Sequence, residues 1–178
     1  MPFTPYHFGP SCFAGLVFRK WLDIPVFVLA NVVVDIEVLI MAVFNLGYPV
    51  HRYCHTLVIG AVVGAAWGLV AYPLRPVFTR IMSVFRLNYE PTLRKMIISG
   101  ILGVWFHVLI DALQHPDMKI LWPNKTFSLW KLVHPYAAGN RVEHVCVLFF
   151  LATIVVYGFI IAPRRSKGPT QKHADRLS

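Results

Sequence analysis

Four apolar stretches, near residues 24–44, 56–74, 97–114 and 144–162, constrain this chain more than any motif it carries. Each is about as long as the ~20 helical residues that cross a bilayer core. A backbone in hydrocarbon has no water to bond, so such a stretch must satisfy its own N–H and C=O groups, as a helix does. Composition agrees: 57% of the 178 residues are hydrophobic and only 14% are charged, where a soluble domain carries about a quarter. The expected fold is all-α, an integral membrane bundle of four transmembrane helices. Residues 1–162 make its single domain, and the polar, basic tail 163–178 is expected to be disordered.

The basic residues give the bundle a direction. The N-terminal segment, the connection 75–95 and the tail together hold twelve Lys and Arg. The other two connections hold five: Arg52, Lys119, Lys125, Lys131 and Arg141. The positive-inside rule then places both termini in the cytoplasm of a multi-pass inner (plasma) membrane protein. Trp122, Trp130 and Tyr136 fit an aromatic belt on the opposite face. Within 75–95, Val77, Phe78, Ile81, Met82 and Phe85 recur at helical spacing with Arg80 and Arg86 between them, which predicts an amphipathic helix lying in the interface. The net charge of +9 reads as topology signal and headgroup contact, with membrane lipid rather than nucleic acid as the partner. The oligomeric state is left open. Cys12, Cys54 and Cys146 show no CxxC spacing and define neither a disulfide framework nor a thiolate zinc site. The start "MPFTPYHFGPSCFAGLVFRK" has its basic residues after its apolar part, unlike a cleavable signal.

Against that background "HVLIDALQHPDMKILWP", residues 107–123, is out of place. Entering from the cytoplasm, Asp35 and Glu37 on the first span and His107 and Asp111 on the third lie roughly 15–21 Å in, past the midplane, at ~1.5 Å per residue. His51 and His55 stand at the mouth of the second span, His115 and Asp117 follow the third, and Glu143 and His144 open the fourth. Four helices thus bring ionisable groups to one half of the bundle. His107 and Asp111 are four apart and share a helix face, as do His51 and His55 if their turn is helical. Imidazoles with carboxylates suit zinc or another divalent metal, one to three ions, and a bound cation would offset the cost of burying the carboxylates. Plainer readings exist for single residues. Asp35 can bond Asn31 one turn earlier, and His134 and His173 can sit among headgroups. Cys54 can simply pack, and Glu37 faces another side of an ideal helix than Asp35.

The segments "NVVVDIE", "HRYCHT" and "HVLIDALQHPDMKILWP" resemble the YdjM-type family of membrane-bound metal-dependent hydrolases, also described as LexA-binding and inner-membrane-associated. That family's pattern is a short N-terminal histidine element, P-D-x-D, H-R-x-x-x-H-[ST], and H-x-x-x-D followed by L-W-P. Here Val34 stands in place of the proline, Glu37 in place of the second aspartate, and "HRYCHT" is one residue shorter. The resemblance covers most of residues 1–123. It implies a distant likeness to zinc-dependent phospholipase C, with His107, Asp111 and His115 matching its first ligands and Glu143–His144 only loosely its last. It also makes His7 a candidate ligand, the alternative being a surface helix with His7 among the headgroups.

The expectation is therefore an integral membrane metal-dependent hydrolase of a phosphoester, with a lipid or other amphiphile as substrate. His7, Asp35, His51, His55, His107, Asp111, His115 and His144 would hold the metal, while Asp35, Glu37 or Asp117 serves as general base to an activated water. The rival is non-catalytic: a divalent-metal or proton transporter, or a metal-stabilised scaffold. A transporter needs polar groups continuing to the cytoplasmic side, where these spans read as almost wholly apolar. For His7 to reach the cluster, "FGPSCFAGLVF" must insert as a half-helix of about eleven residues, roughly 16 Å long, shielded from lipid by protein.

Overall fold

The computed structural model describes residues 5–47, 51–124, 126–133 and 141–162. His134, Lys125, His173 and the tail fall outside them. All regular structure among the described residues is helical: α1 (Pro5–Val17), α2 (Ile24–Val43), α3 (Leu57–Ala71), α4 (Arg75–Val84), α5 (Leu93–Ala112), α6 (Leu129–Val133) and α7 (Arg141–Ile161). Four of the helical runs are long and apolar enough to cross a membrane: Ile24–Val43, Leu57–Val84, Leu93–Ala112 and Val142–Ile161.

Helix starts are where the sequence puts oxygen-bearing caps. Asp23, Thr56 and Thr92 accept from the N–H groups of Val26, Ile59 and Lys95 at 3.2, 3.3 and 3.2 Å. Each such cap is worth about 1 kcal/mol. The α5 residues turned inward are Met96, Ser99, Gly100, Gly103, Val104, His107, Val108, Asp111 and Ala112, spaced by three and four along one stripe. That stripe carries the polar residues on the same face as the packing residues.

Glycines set how closely the helices approach. Gly60, Gly64 and Gly68 of α3 recur every four residues and face α5. A Cβ on Gly64 would lie 2.6 Å from the Ile101 Cα and against the Gly100 carbonyl; one on Gly103 would lie 2.5 Å from the Phe27 carbonyl of α2. Small residues at this spacing let backbones touch, which is how helices associate where lipid removes the hydrophobic drive. Trp67 fixes the α2–α3 contact by donating its indole N–H to the Val26 carbonyl at 3.0 Å.

Two segments differ from expectation in detail. The half-helix is longer than "FGPSCFAGLVF" and begins before His7, so His7 lies within its first turn. It packs against α7 and α2, with Gly9 close to the Cys146 carbonyl and the Phe150 ring. The amphipathic helix follows α3 through a 3₁₀ turn at Tyr72–Leu74 without a break. Of its apolar face only Phe78 and Met82 are buried, in the case of Phe78 near Val26, Ala71 and Met96; Val77, Ile81 and Phe85 are exposed.

Candidate metal centre

One end of the bundle collects side chains from α1, α2, α5 and the two segments that lead into α3 and out of α5. The Leu57 N–H donates to the Ile120 carbonyl at 2.9 Å, which joins those two segments and sets His51 and His55 beside His115 and Asp117. His55 and His7 are 1% exposed, His107 0% and Asp111 3%.

Asp111 is the hub. Its Oδ1 lies 2.9 Å from His7 Nε2, and its Oδ2 lies 3.1 Å from His107 Nε2 and 3.8 Å from His51 Nε2. Asp35 approaches from α2, with Oδ1 3.1 Å from His107 Nε2 and 3.6 Å from His55 Nε2. The His7 and His107 rings stack at 4.3 Å, and those of His51 and His115 lie 4.4 Å apart. Several of these atoms lack hydrogen-bond geometry: both nitrogens of His7 and of His107, His55 Nε2 and Asp111 Oδ1 are buried with no hydrogen-bond partner, although His7 Nε2 and His107 Nε2 stand at ion-pair distance from the carboxylates. Buried polar atoms left in that state cost about 1–3 kcal/mol each. A divalent cation is one partner that would take up their lone pairs.

The donor set fits a divalent cation. One ligand atom each from Asp35, His55, His107 and Asp111 falls within 4.8 Å of the others, and so does one each from His51, His115 and Asp117. Around a four-coordinate ion with bonds of ~2.0–2.1 Å, ligand atoms stand about 3.3 Å apart. The spacings of 3.1, 3.1 and 3.6 Å bracket that value.

Two carboxylates stand behind the histidines. Glu37 Oε2 lies 2.9 Å from His55 Nδ1, and the carboxylate also accepts the N–H groups of Arg52 and Cys54, each at 3.1 Å. Asp117 Oδ2 lies 3.2 Å from His51 Nδ1. A carboxylate on Nδ1 fixes the tautomer and aims Nε2 inward, the usual arrangement behind a metal-binding imidazole. Glu37 therefore reaches the centre through His55, although it does not share a face with Asp35. Cys54 belongs to neither ligand-distance group, and burial and the adjacent Glu37 push its thiol up to about 11.

No protein-family model, curated protein or solved structure matches this chain. The site is therefore read from its own geometry. That geometry gathers His7, Asp35, Glu37, His51, His55, His107, Asp111, His115 and Asp117. His144 belongs to neither ligand-distance group: it is exposed in the first turn of α7, a helix whose face toward α1 carries Cys146 instead. Asn31 does not bond Asp35 as the plainer reading had it. Its amide donates to Ser11 Oγ at 3.0 Å and to the Val28 carbonyl at 2.6 Å.

Sequence reasoning did not single out the cavity that leads to the centre. It measures about 300 Å³ and is lined by His51, Arg52, Tyr53, Asp117, Lys119 and Trp122 among others. The Tyr53 and Trp122 rings meet edge to face at 5.6 Å on its wall.

Proposed function

We propose that this chain is an integral membrane, metal-dependent hydrolase acting on a phosphoester, with a lipid or other amphiphile as substrate. The observation that carries the reading is the cluster of buried imidazole nitrogens without hydrogen-bond partners, facing the shared carboxylates Asp35 and Asp111. Asp35, His55, His107 and Asp111 would hold a first ion, zinc by donor chemistry, with His7 beside Asp111 as a further candidate ligand; His51 and His115, backed by Asp117, give room for a second. A bound divalent ion supplies positive charge that acidifies water and polarises a phosphoryl oxygen.

The chain's own residues do the rest. Glu37 is committed by its three bonds to holding His55 and is a positioning residue. Asp117 lines the cavity and accepts the proton released on attack, at a carboxylate steadied by His51 Nδ1. Arg52 and Lys119 on the cavity wall favour an anionic substrate, and Tyr53 and Trp122 offer apolar surface beside it. The motif resemblance points the same way and rests on the quoted residues alone.

A transporter fits less well. Below the centre, Ser11 and Asn31 satisfy each other, and Phe27, Ala30 and Gly103 close together beneath them. The next buried polar group described, Asp23 with Ser99 and Tyr89, lies at the far end of α2.

Elemental analysis after chelator-free purification should find a stoichiometric divalent metal, and a screen of phosphoester lipids should find turnover that a chelator abolishes. Metal-free protein sinks the reading outright. Metal without turnover of any phosphoester leaves the scaffold reading in its place. We place the centre on the extracytoplasmic side, from the twelve-to-five split in basic residues. In a background lacking the native cysteines, cysteine at position 119 should label from outside and at position 170 only after permeabilisation; the reverse pattern moves the site to the cytoplasmic leaflet.

A further inference from the structure

At the opposite end from the metal centre lies a second cavity, of about 440 Å³, lined by Arg19, Lys20, Arg86, Glu90, Lys95 and Ile160 among others. Lys95 is twelve residues before His107 on α5, so about 18 Å of helix separates it from the metal centre. No residue of this cavity takes part in the site already described.

Its charge is unbalanced. Four cations from three separate segments line one hollow: Arg19 and Lys20 from the turn after α1, Arg86 from the turn after α4, and Lys95 from the first turn of α5. A single carboxylate, Glu90, stands with them. Solvent screens exposed cations, but those gathered in one hollow still repel one another, and a bound anion relieves that repulsion. The chain holds them there nonetheless. Lys95 Nζ donates to the Arg19 carbonyl at 3.3 Å and the Arg19 guanidinium donates to the Leu16 carbonyl at 3.2 Å, which pins both stems. Arg86 has φ 54°, a left-handed conformation that side-chain-bearing residues seldom adopt, and Tyr157 of α7 donates to the preceding carbonyl, of Phe85, at 3.1 Å. A guanidinium has five N–H donors and an ammonium three, so these pins leave donors over.

The anion's source follows from what borders the cavity. Ile160 belongs to the last turn of α7, next to Phe159, which is 80% exposed. An apolar helix exposed along its length and ending at a ring of cations marks the level where lipid chains give way to phosphates. We propose that this cavity binds the phosphate headgroup of an anionic phospholipid from the leaflet in which α7 ends. The site rests on the membrane reading of the helices and is independent of any hydrolase activity.

Native mass spectrometry of the full-length protein in detergent tests this, using phosphatidylglycerol and phosphatidylcholine of matched chains, with inorganic phosphate as a third probe. Phosphatidylglycerol should bind in clear preference to phosphatidylcholine. Arg86→Gly removes the guanidinium and suits the left-handed backbone; it should weaken phosphatidylglycerol binding about fivefold, as should Lys20→Gln. Both should leave phosphatidylcholine binding, melting temperature and metal content unchanged. Lys20→Gln carries the test if Arg86→Gly fails to fold. Equal binding of the two lipids overturns the proposal, as do variants that bind phosphatidylglycerol like the wild type. Inorganic phosphate competing at the lipid's own concentration overturns the lipid source and makes the cavity a soluble-anion site.

Discussion

Asp23 and Asp111 are both buried carboxylates, set at opposite ends of the bundle, and their surroundings could hardly differ more. Asp23 is 0% exposed, yet it accepts from the Tyr89 hydroxyl at 2.8 Å and the Val26 N–H at 3.2 Å, while its own N–H reaches Ser99 Oγ at 2.7 Å. Every contact there is a directional hydrogen bond, and together they seat the start of α2 against α5. Asp111 is as deeply buried and touches three imidazoles, but neither ring nitrogen of His7 or His107 finds a hydrogen-bond partner. Burial alone does not mark a functional carboxylate. What separates the two is whether the surrounding protein atoms complete it.

The largest effects expected from that contrast are at the unsatisfied end. Asp111→Asn keeps the shape and removes the charge, and it should abolish metal binding measured by elemental analysis, as should His107→Ala. His7→Ala should also lose metal while keeping the wild type's helix content by circular dichroism, with a lower melting temperature from the cavity and the lost ion. If all three variants kept a full metal complement, the two carboxylates would have to be regarded as alike.

Next in size is Glu37→Gln. The amide cannot hold His55 Nδ1–H as a carboxylate does, so metal affinity should fall ten- to a hundredfold in a competition titration with a chelator. An unchanged affinity would reduce Glu37 to an anchor for the loop N–H groups of Arg52 and Cys54.

The satisfied end should respond in stability only. Asp23→Ala removes the cap and strands the Tyr89 hydroxyl, a loss of about 1–3 kcal/mol by thermal melting in detergent with metal content intact. Asp23→Asn keeps a capping oxygen and should cost far less. Burial raises the Asp23 carboxyl above 3.8, against the opposing effects of Tyr89, the Val26 N–H and Lys95. A group with a raised folded-state pKa contributes stability that is whole below its unfolded value and is lost as pH rises through the folded one. Asparagine has no such loss. Asp23→Asn should therefore gain on the wild type as pH climbs from below 3.8 through the raised value, then stay level. Metal loss in either Asp23 variant would break the comparison from its other side.

The two ends were not equally legible in the sequence. The helices were, because apolar length is a local property: the expected 24–44 and 97–114 became Ile24–Val43 and Leu93–Ala112. The histidines and aspartates of the site could be listed for the same reason, since depth along a helix is counted in residues. Their pairing could not. That Glu37 meets His55 and Asp117 meets His51 depends on how the segment 51–56 folds back on α2 and on the stretch after α5, a matter of tertiary packing. The Asp23–Tyr89 bond spans 66 residues and gave no local sign. The repeat Gly60, Gly64, Gly68 was a readable signal for the α3–α5 contact, and the apolar stretch around it drew the eye to length instead.

The short α1 lies against α7, almost the full chain away. Thr153 Oγ1 donates to the Gly9 carbonyl at 3.2 Å, and Gly9 has no room for a Cβ beside the Cys146 carbonyl. α7 thus covers the outer side of a helix whose inner side meets α2 through Ser11 and Asn31 and reaches the cluster through His7 and Asp111. Asp35, His55, His107 and Asp111 stand together without α7, so a chain cut before α7 should still take up a divalent ion, but more weakly for want of the helix that backs His7 against Asp111.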